Sequence, residues 1–396
     1  MSISFLSKLR PGKFMAVFDV GSGSVAGAVI ELRGEKPVLI HTSFRSHIPY
    51  EERSNEQLAS AIVQKVEEVG RRLLDNHAKG GVSRKGIHEC LTVVHVPWID
   101  SITHNLEAPL KEESEILEEM ILQLSQKAFA QSNEGNSKEV FEKSIVRVEL
   151  NGYPTSAPLK KIAKQIGVVV LETQIFGNMK KQITDRIVNM LPGVQPVFRS
   201  STLIDSTLMR RRAPESAHFT IADITSEATS ITVIRRGAIS EQKTVPIGYR
   251  SITRAVSKER GSSVDDIQSR IRMLMKGECS TDECRSLEAS MDAVGSQFTQ
   301  EFGNIFSEIS KSKKLPNTLV MHCHPDLSNW FTKFFTRLDF AQFTETTRPF
   351  LVGEISLKSI AEYVIFMPGN ALDSGIATSC AFLYTGKDDK VGNLET

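Results

Sequence analysis

Apolar positions in this chain recur with a period of two in short runs and near 3.6 in longer ones, and the order of those runs predicts its elements. Residues 14–32 (FMAVFDVGSGSVAGAVIEL) run apolar into Asp19, turn through Gly21, Ser22, Gly23 and Ser24, and run apolar again. That pattern predicts a β-hairpin with an acidic residue at the strand end. Residues 38–44 predict a third strand, residues 55–74 an amphipathic helix with an Asn or Ser cap, and residues 88–96 (HECLTVVHV) a buried strand. Residues 112–131 read as an acidic-faced helix with Ile116, Leu117, Met120, Ile121 and Leu124 inward, and residues 132–138 (SNEGNSK) as a polar loop. Strands at 141–150 and 165–174 and a helix at 179–190 complete this block.

The opening pattern then returns. From residue 217 a strand ends at Asp223, a short polar turn follows, a second strand covers 231–234, the chain turns at Arg235-Arg236-Gly237, and Gly248 precedes a helix. Asp19 and Asp223 occupy equivalent points of two similar units, and this internal repeat is the strongest organisational signal in the chain. Helices follow at 264–275, 286–309 and 327–338, with a strand at 318–321 opening into His322-Cys323-His324-Pro325. Small residues line a last helix at 375–383, ahead of a polar tail at 386–396.

A length of 396 residues is too great for one core and suits two domains or more. The 48 Lys and Arg residues almost cancel the 47 Asp and Glu, so no broad field points to nucleic acid as a partner. Five scattered cysteines favour a reducing compartment over a disulfide framework. The hydropathy pattern predicts neither a membrane-spanning helix, which needs about 18 uninterrupted apolar residues, nor a secretion signal. The N-terminal ISFLSKLR reads as a frayed end, with a weak membrane-surface contact as the alternative.

The first hairpin turn carries the most chemistry. A Gly- and Ser-rich turn can aim backbone N–H groups and a serine hydroxyl at one phosphate, while the strand-end carboxylate holds a hydrated Mg²⁺; an ordinary glycine-rich hairpin is the bland alternative. His322, Cys323 and His324 with Cys279 and Cys284 offer zinc-type donors, but adjacent side chains on an extended segment face opposite ways, so a strand-end loop is the simpler reading. His95-Val96-Pro97 reads as turn punctuation. Arg210, Arg211, Arg212, Arg235 and Arg236 suit either solvated element ends or a basic surface for an acidic partner tail or anionic lipid. No Ser-His-Asp or Cys-His arrangement has local motif support.

The order hairpin unit, insertion, hairpin unit, strand, helix, small-residue helix resembles the FtsA/PilM branch of the bacterial actin-like ATPases over residues 14–385, and residues 141–176 resemble the later half of that branch's insertion. The resemblance implies an actin-like α/β fold, a duplicated ribonuclease-H-like core with inserted subdomains. It divides the chain into a first core (1–98 and 366–396), an inserted subdomain (99–175), a connecting helix region (176–215), a second core (216–250 and 316–365) and a small insertion (251–315). It also implies an ATP and Mg²⁺ site, with Asp19, Gly21, Ser22, Gly23 and Ser24 in one phosphate loop, Asp223, Thr225 and Ser226 in the other, and Asp19 and Asp223 holding the metal through water.

The departures from the family pattern are specific. Asp223-Ile224-Thr225-Ser226-Glu227-Ala228-Thr229 lacks the glycines of the second phosphate loop and adds a carboxylate that would repel phosphate. His322-Cys323-His324-Pro325 replaces a glycine-rich adenosine turn, residues 265–270 lack the ribose-contact motif, and residues 197–201 lack the usual acidic residue before the central helix. The expectation is therefore a scaffold with weak or lost ATP binding and no catalytic residue. It would sit at the cytoplasmic face of the cell membrane, touching the membrane indirectly, in type IV pilus assembly or cell division. Its partner would be a pilus membrane-protein tail or the division tubulin homologue, with self-association into filaments as a further feature. The alternative is an active, filament-forming ATPase. The short polar tail favours the pilus role.

Overall fold

The computed structural model describes residues 12–49, 53–79, 86–130, 139–212 and 218–385. The expectations for ISFLSKLR, for SNEGNSK and for the tail at 386–396 lie outside the described residues.

β1 (Lys13–Val20), β2 (Ser24–Arg33) and β3 (Lys36–His47) form an antiparallel meander. α1 (Asn55–Lys79) buries Leu58, Ile62, Val66, Val69 and Leu73, the 3.6-period stripe of the sequence. A capping box starts it: Ser54 N–H donates to Gln57 Oε1 at 2.9 Å, and Gln57 N–H to Ser54 Oγ at 3.3 Å. β4 (Ile87–Val94) returns parallel to β1.

The insertion follows, with β5 (Ile99–Glu115), α2 (Glu118–Phe129), β6 (Glu139–Leu150), β7 (Tyr153–Thr155) and β8 (Ile162–Ile175) in a four-stranded sheet of order β5-β8-β6-β7. It has its own core around Ile116, Ile121, Leu124, Ile145 and Val168. The helix expected from residue 112 begins only at Glu118. Residues Ser114 and Glu115 pair instead with Ala163 and Ile162 of β8, so strand pairing overrides the helical periodicity there.

α3 (Met179–Met190) leads to β9 (Pro196–Ser200), which pairs with β4, and α4 (Ser201–Arg212) crosses to the second half. β10 (Phe219–Ile224), β11 (Thr229–Arg235) and β12 (Ala238–Val245) repeat the meander, followed by α5 (Tyr249–Arg260), α6 (Val264–Lys276) and α7 (Thr281–Ser310). β13 (Thr318–His322) runs parallel to β10; α8 (Pro325–Phe335), a 3-10 turn at Leu338–Phe343, β14 (Leu351–Glu354), α9 (Leu357–Ile360), β15 (Val364–Phe366) and α10 (Ser374–Thr385) complete the chain.

The two large sheets share one plan. Their orders are β15-β3-β2-β1-β4-β9 and β12-β11-β10-β13-β14, so β15, parallel to β3, is the one strand without a counterpart among the described residues. Register makes the duplication explicit: Asp19 pairs with Ala26 and Asp223 with Ser230, each next to the last pair before its hairpin turn. Residues of α4 and α10 (Leu203, Ile204, Leu208, Ile376, Ala377, Cys380) pack with both sheets in one core, and the small side chains of α10 permit that close approach. Phe302, Phe306, Phe331, Phe335 and Phe340 dominate the core on the other face of the second sheet, where Phe306 meets Phe340 edge-on at 5.2 Å.

Cys90, Cys323 and Cys380 are free and buried, but Cys279 and Cys284 form a disulfide, with Cα atoms 5.9 Å apart. One bridge departs from the expectation of a reducing compartment rather than a disulfide framework, and it removes both cysteines from any zinc set. No described helix is long and apolar enough to cross a membrane.

Candidate functional site

The two repeats set their hairpin turns face to face. A Cβ on Gly23 would collide with the side chain of Ser226, so only glycine lets the first turn approach the second this closely. Ser22 Oγ lies 2.9 Å from Thr225 Oγ1 and accepts the Glu227 N–H at 2.9 Å. Asp19, Gly21, Ser22, Gly23, Ser24, Asp223, Thr225 and Ser226 all line one cavity of about 280 Å³. The structure thus brings together all eight residues singled out in the sequence.

It also brings residues the sequence reading passed over. His95 stands between the two strand-end aspartates, with Nε2 2.6 Å from Asp19 Oδ1 and Nδ1 2.8 Å from Asp223 Oδ2. Arg45 donates from Nη2 to Asp19 Oδ2 at 2.8 Å, from Nη1 to Ser24 Oγ at 2.7 Å, and through a two-point fork to Asp373 at 2.6 and 2.9 Å. A Cβ on Gly375 would strike the Asp19 carboxylate, which brings the start of α10 onto the same cluster.

Electrostatics follow from this geometry. Burial pushes the Asp19 carboxyl up, but His95 and then Arg45 outweigh it and hold it well below the ordinary carboxylate range. Burial likewise opposes charge on His95, yet Asp223 and Asp19 raise it well above the usual imidazole value, so the ring is an imidazolium held by two carboxylates. His322, one strand over, is raised to about 9 against its burial by Asp205 and then Asp223. His47, in the cavity wall, is lowered to about 4 by burial and by the charge of Arg45.

These residues do not fit a hydrated Mg²⁺ with a phosphate. Mg²⁺ needs open carboxylate oxygens and keeps several waters, whereas His95 fills the space between Asp19 and Asp223 and Arg45 takes the other Asp19 oxygen. The hydroxyls of Ser22 and Ser24 are engaged by the second turn and by Arg45. Glu227, expected to repel a phosphate, is turned to Arg254 at 2.7 Å and Arg250 at 3.9 Å instead.

The turn expected at His95-Val96-Pro97 is present, with Trp98 N–H donating to the His95 carbonyl at 3.1 Å, but the reading missed the His95 side chain in the cluster, and it took His322, which ends β13 against Asp205, for an incidental loop residue. Asp205, buried inside α4 and facing His322, is a further acid that the sequence reading did not single out. Of the remaining zinc-type donors, His324 caps α8 by accepting the Asp326 N–H at 3.2 Å. Arg210 and Arg235 donate to backbone carbonyls of Val146, Lys313 and Lys314, so both tie segments together.

Comparison with solved structures decides the fold. Over 98% of this chain and 100% of the other, the structure is similar to one described as a PilM-PilN type IV pilus biogenesis complex, with 14% identity and a TM-score of 0.55. The chain has the actin-like ATPase fold. Looser similarities include the ethanolamine utilization protein EutJ from Carboxydothermus hydrogenoformans (10% identity, TM-score 0.47, covering 96% of this chain and 91% of that one). A protein of unknown function with an actin-like ATPase fold from Bacteroides thetaiotaomicron shows 11% identity and a TM-score of 0.39, covering 96% and 99%. No protein-family pattern matches the chain, and neither does any curated protein.

Proposed function

We propose that this chain is an actin-like scaffold that has exchanged its nucleotide site for an internal salt-bridge cluster and works by binding protein partners. One observation carries the reading: an imidazolium and a guanidinium, His95 and Arg45, hold the oxygens that an actin-like ATPase would turn toward Mg²⁺. A nucleotide would have to displace contacts worth roughly 1.5–3 kcal/mol each to regain the site.

The partner reading draws on likeness and surface. The similar PilM structure is a complex with PilN, and we extend that to a partner here: the cytoplasmic tail of a pilus membrane protein, which would place this chain at the inner face of the cell membrane. The division tubulin homologue is the competing partner. The insertion exposes Leu117, Tyr153, Leu159 and Ile162, apolar surface of the kind protein contacts bury.

Calorimetric titration with Mg-ATP tests the site, with Asp19→Ala as control. The expected result is no binding heat up to millimolar nucleotide for either protein. Micromolar binding that vanishes in Asp19→Ala overturns the proposal in favour of an active, filament-forming ATPase.

A further inference from the structure

We propose that Asp205, Asp223 and His322 form a binding site for one divalent transition-metal ion of the zinc or manganese class, beside His95 on the second core. Each ligand comes from a different rigid element: Asp205 from α4, Asp223 from the end of β10, and His322 from the end of β13, where it is the register partner of Asp223. All three are buried, at 2%, 6% and 6% exposure, and their ligand atoms lie within 4.8 Å of one another.

The spacing is that of metal ligands more than of an ion pair. His322 Nδ1 lies 3.4 Å from each Asp205 oxygen. A charge-assisted hydrogen bond closes to about 2.7–2.9 Å, whereas two ligands bound at about 2.0–2.1 Å on a tetrahedral ion stand roughly 3.3–3.4 Å apart. Asp205 Oδ1 is sealed from solvent and makes no hydrogen bond. Among the described residues its one ion-pair contact is His322 Nδ1 at 3.4 Å, so a cation that comes closer to this buried oxygen is favoured.

Charge balance points the same way. Asp19, Asp205, Asp223 and Asp373 face Arg45, His95 and His322, so a negative charge is left over even with both imidazoles protonated. A divalent ion on neutral His322 makes the cluster neutral. His95 holds Asp223 through Oδ2, orienting it as outer-shell partners orient metal ligands. One imidazole nitrogen with two carboxylates suits zinc or manganese better than Mg²⁺, which prefers an all-oxygen octahedron. Asp223 and His322 open onto the 280 Å³ cavity, which gives the ion an entry path.

The test is metal analysis of protein purified without chelator, followed by calorimetric titration of the chelator-treated protein with Zn²⁺ and Mn²⁺. The expected result is one ion per chain for wild type and His324→Ala, with affinity at least tenfold weaker in Asp205→Asn and His322→Asn. Co²⁺ should give visible ligand-field bands in wild type that Asp205→Asn removes; this near-isosteric variant carries the test if His322→Asn does not fold. Absence of binding to wild type, equal binding by Asp205→Asn, or loss in His324→Ala would each overturn the site. So would an infrared band of a protonated Asp205 carboxyl that excess Zn²⁺ leaves unchanged. None of these outcomes depends on nucleotide binding.

Discussion

Replacing His95 with alanine removes the cation from between Asp19 and Asp223 and leaves both carboxylates buried, at 3% and 6% exposure. Two charge-assisted hydrogen bonds, at 2.6 and 2.8 Å, disappear together. At about 1.5–3 kcal/mol for each bond to a charged group, the loss is roughly 3–6 kcal/mol; removal of one partner from a buried ion pair gives about 3–5 kcal/mol independently. We therefore expect His95→Ala to lose about 3–5 kcal/mol in urea unfolding at neutral pH. That is a large share of a domain stability of roughly 5–15 kcal/mol. Adding Asp19→Asn should recover part of it, because an amide does not need the cation, and the double-mutant cycle isolates the pair. Vacating the slot should also let Mg²⁺ raise the melting temperature of the variant while leaving wild type unmoved.

The sign of the pH dependence follows from the raised imidazoles. A protonated His95 stabilises the fold; its contribution is full below the unfolded value of about 6.5 and is lost as pH rises through the higher folded value. In metal-free protein His322, raised to about 9, adds a loss of the same sign between about pH 6.5 and 9. Wild type should weaken across that alkaline window, and His95→Ala should weaken less. A variant that loses under about 1 kcal/mol, or a wild-type stability flat from about pH 7 to 10, would refute the imidazolium bridge.

Gly23→Ala drives a methyl into Ser226 and should separate the two turns, lowering stability by about 1–3 kcal/mol in a thermal melt. His47, lowered to about 4 chiefly by burial, stays neutral in the fold while the unfolded chain takes up a proton below about 6.5. Stability should therefore fall as pH drops from about 6.5 to 4, and His47→Gln should flatten that part of the acid limb in a urea titration. Phe306→Ala opens the aromatic core against Phe335, Phe340 and Phe350 and should cost about 3–5 kcal/mol by urea unfolding, with the salt-bridge cluster intact.

The fold was legible because it is written in repeated local patterns. Both Asp19 and Asp223 end an apolar strand, precede a polar turn and lead into a second strand, and each pattern is contiguous in sequence. The residues of the two turns were equally visible, and they do line one cavity. What occupies that convergence was not visible, because it depends on contacts between residues far apart in sequence. His95 meets Asp223 across 128 positions, Arg45 meets Asp373 across 328, and His322 meets Asp205 across 117. A histidine beside a proline at a strand end looks like a turn until the opposing strand is known to end in a carboxylate at the same level. The usable signal was symmetry: β4 runs into His95-Val96-Pro97 as β13 runs into His322-Cys323-His324-Pro325, so both parallel strands bring an imidazole to the aspartates, His95 between Asp19 and Asp223 and His322 against Asp205. In the first repeat the protein's own cations, Arg45 and His95, hold both oxygens of Asp19, and with that charge met the two turns close on each other at Gly23 and Ser226. The charge left over lies on the other side of His95, where Asp205 and Asp223 face His322.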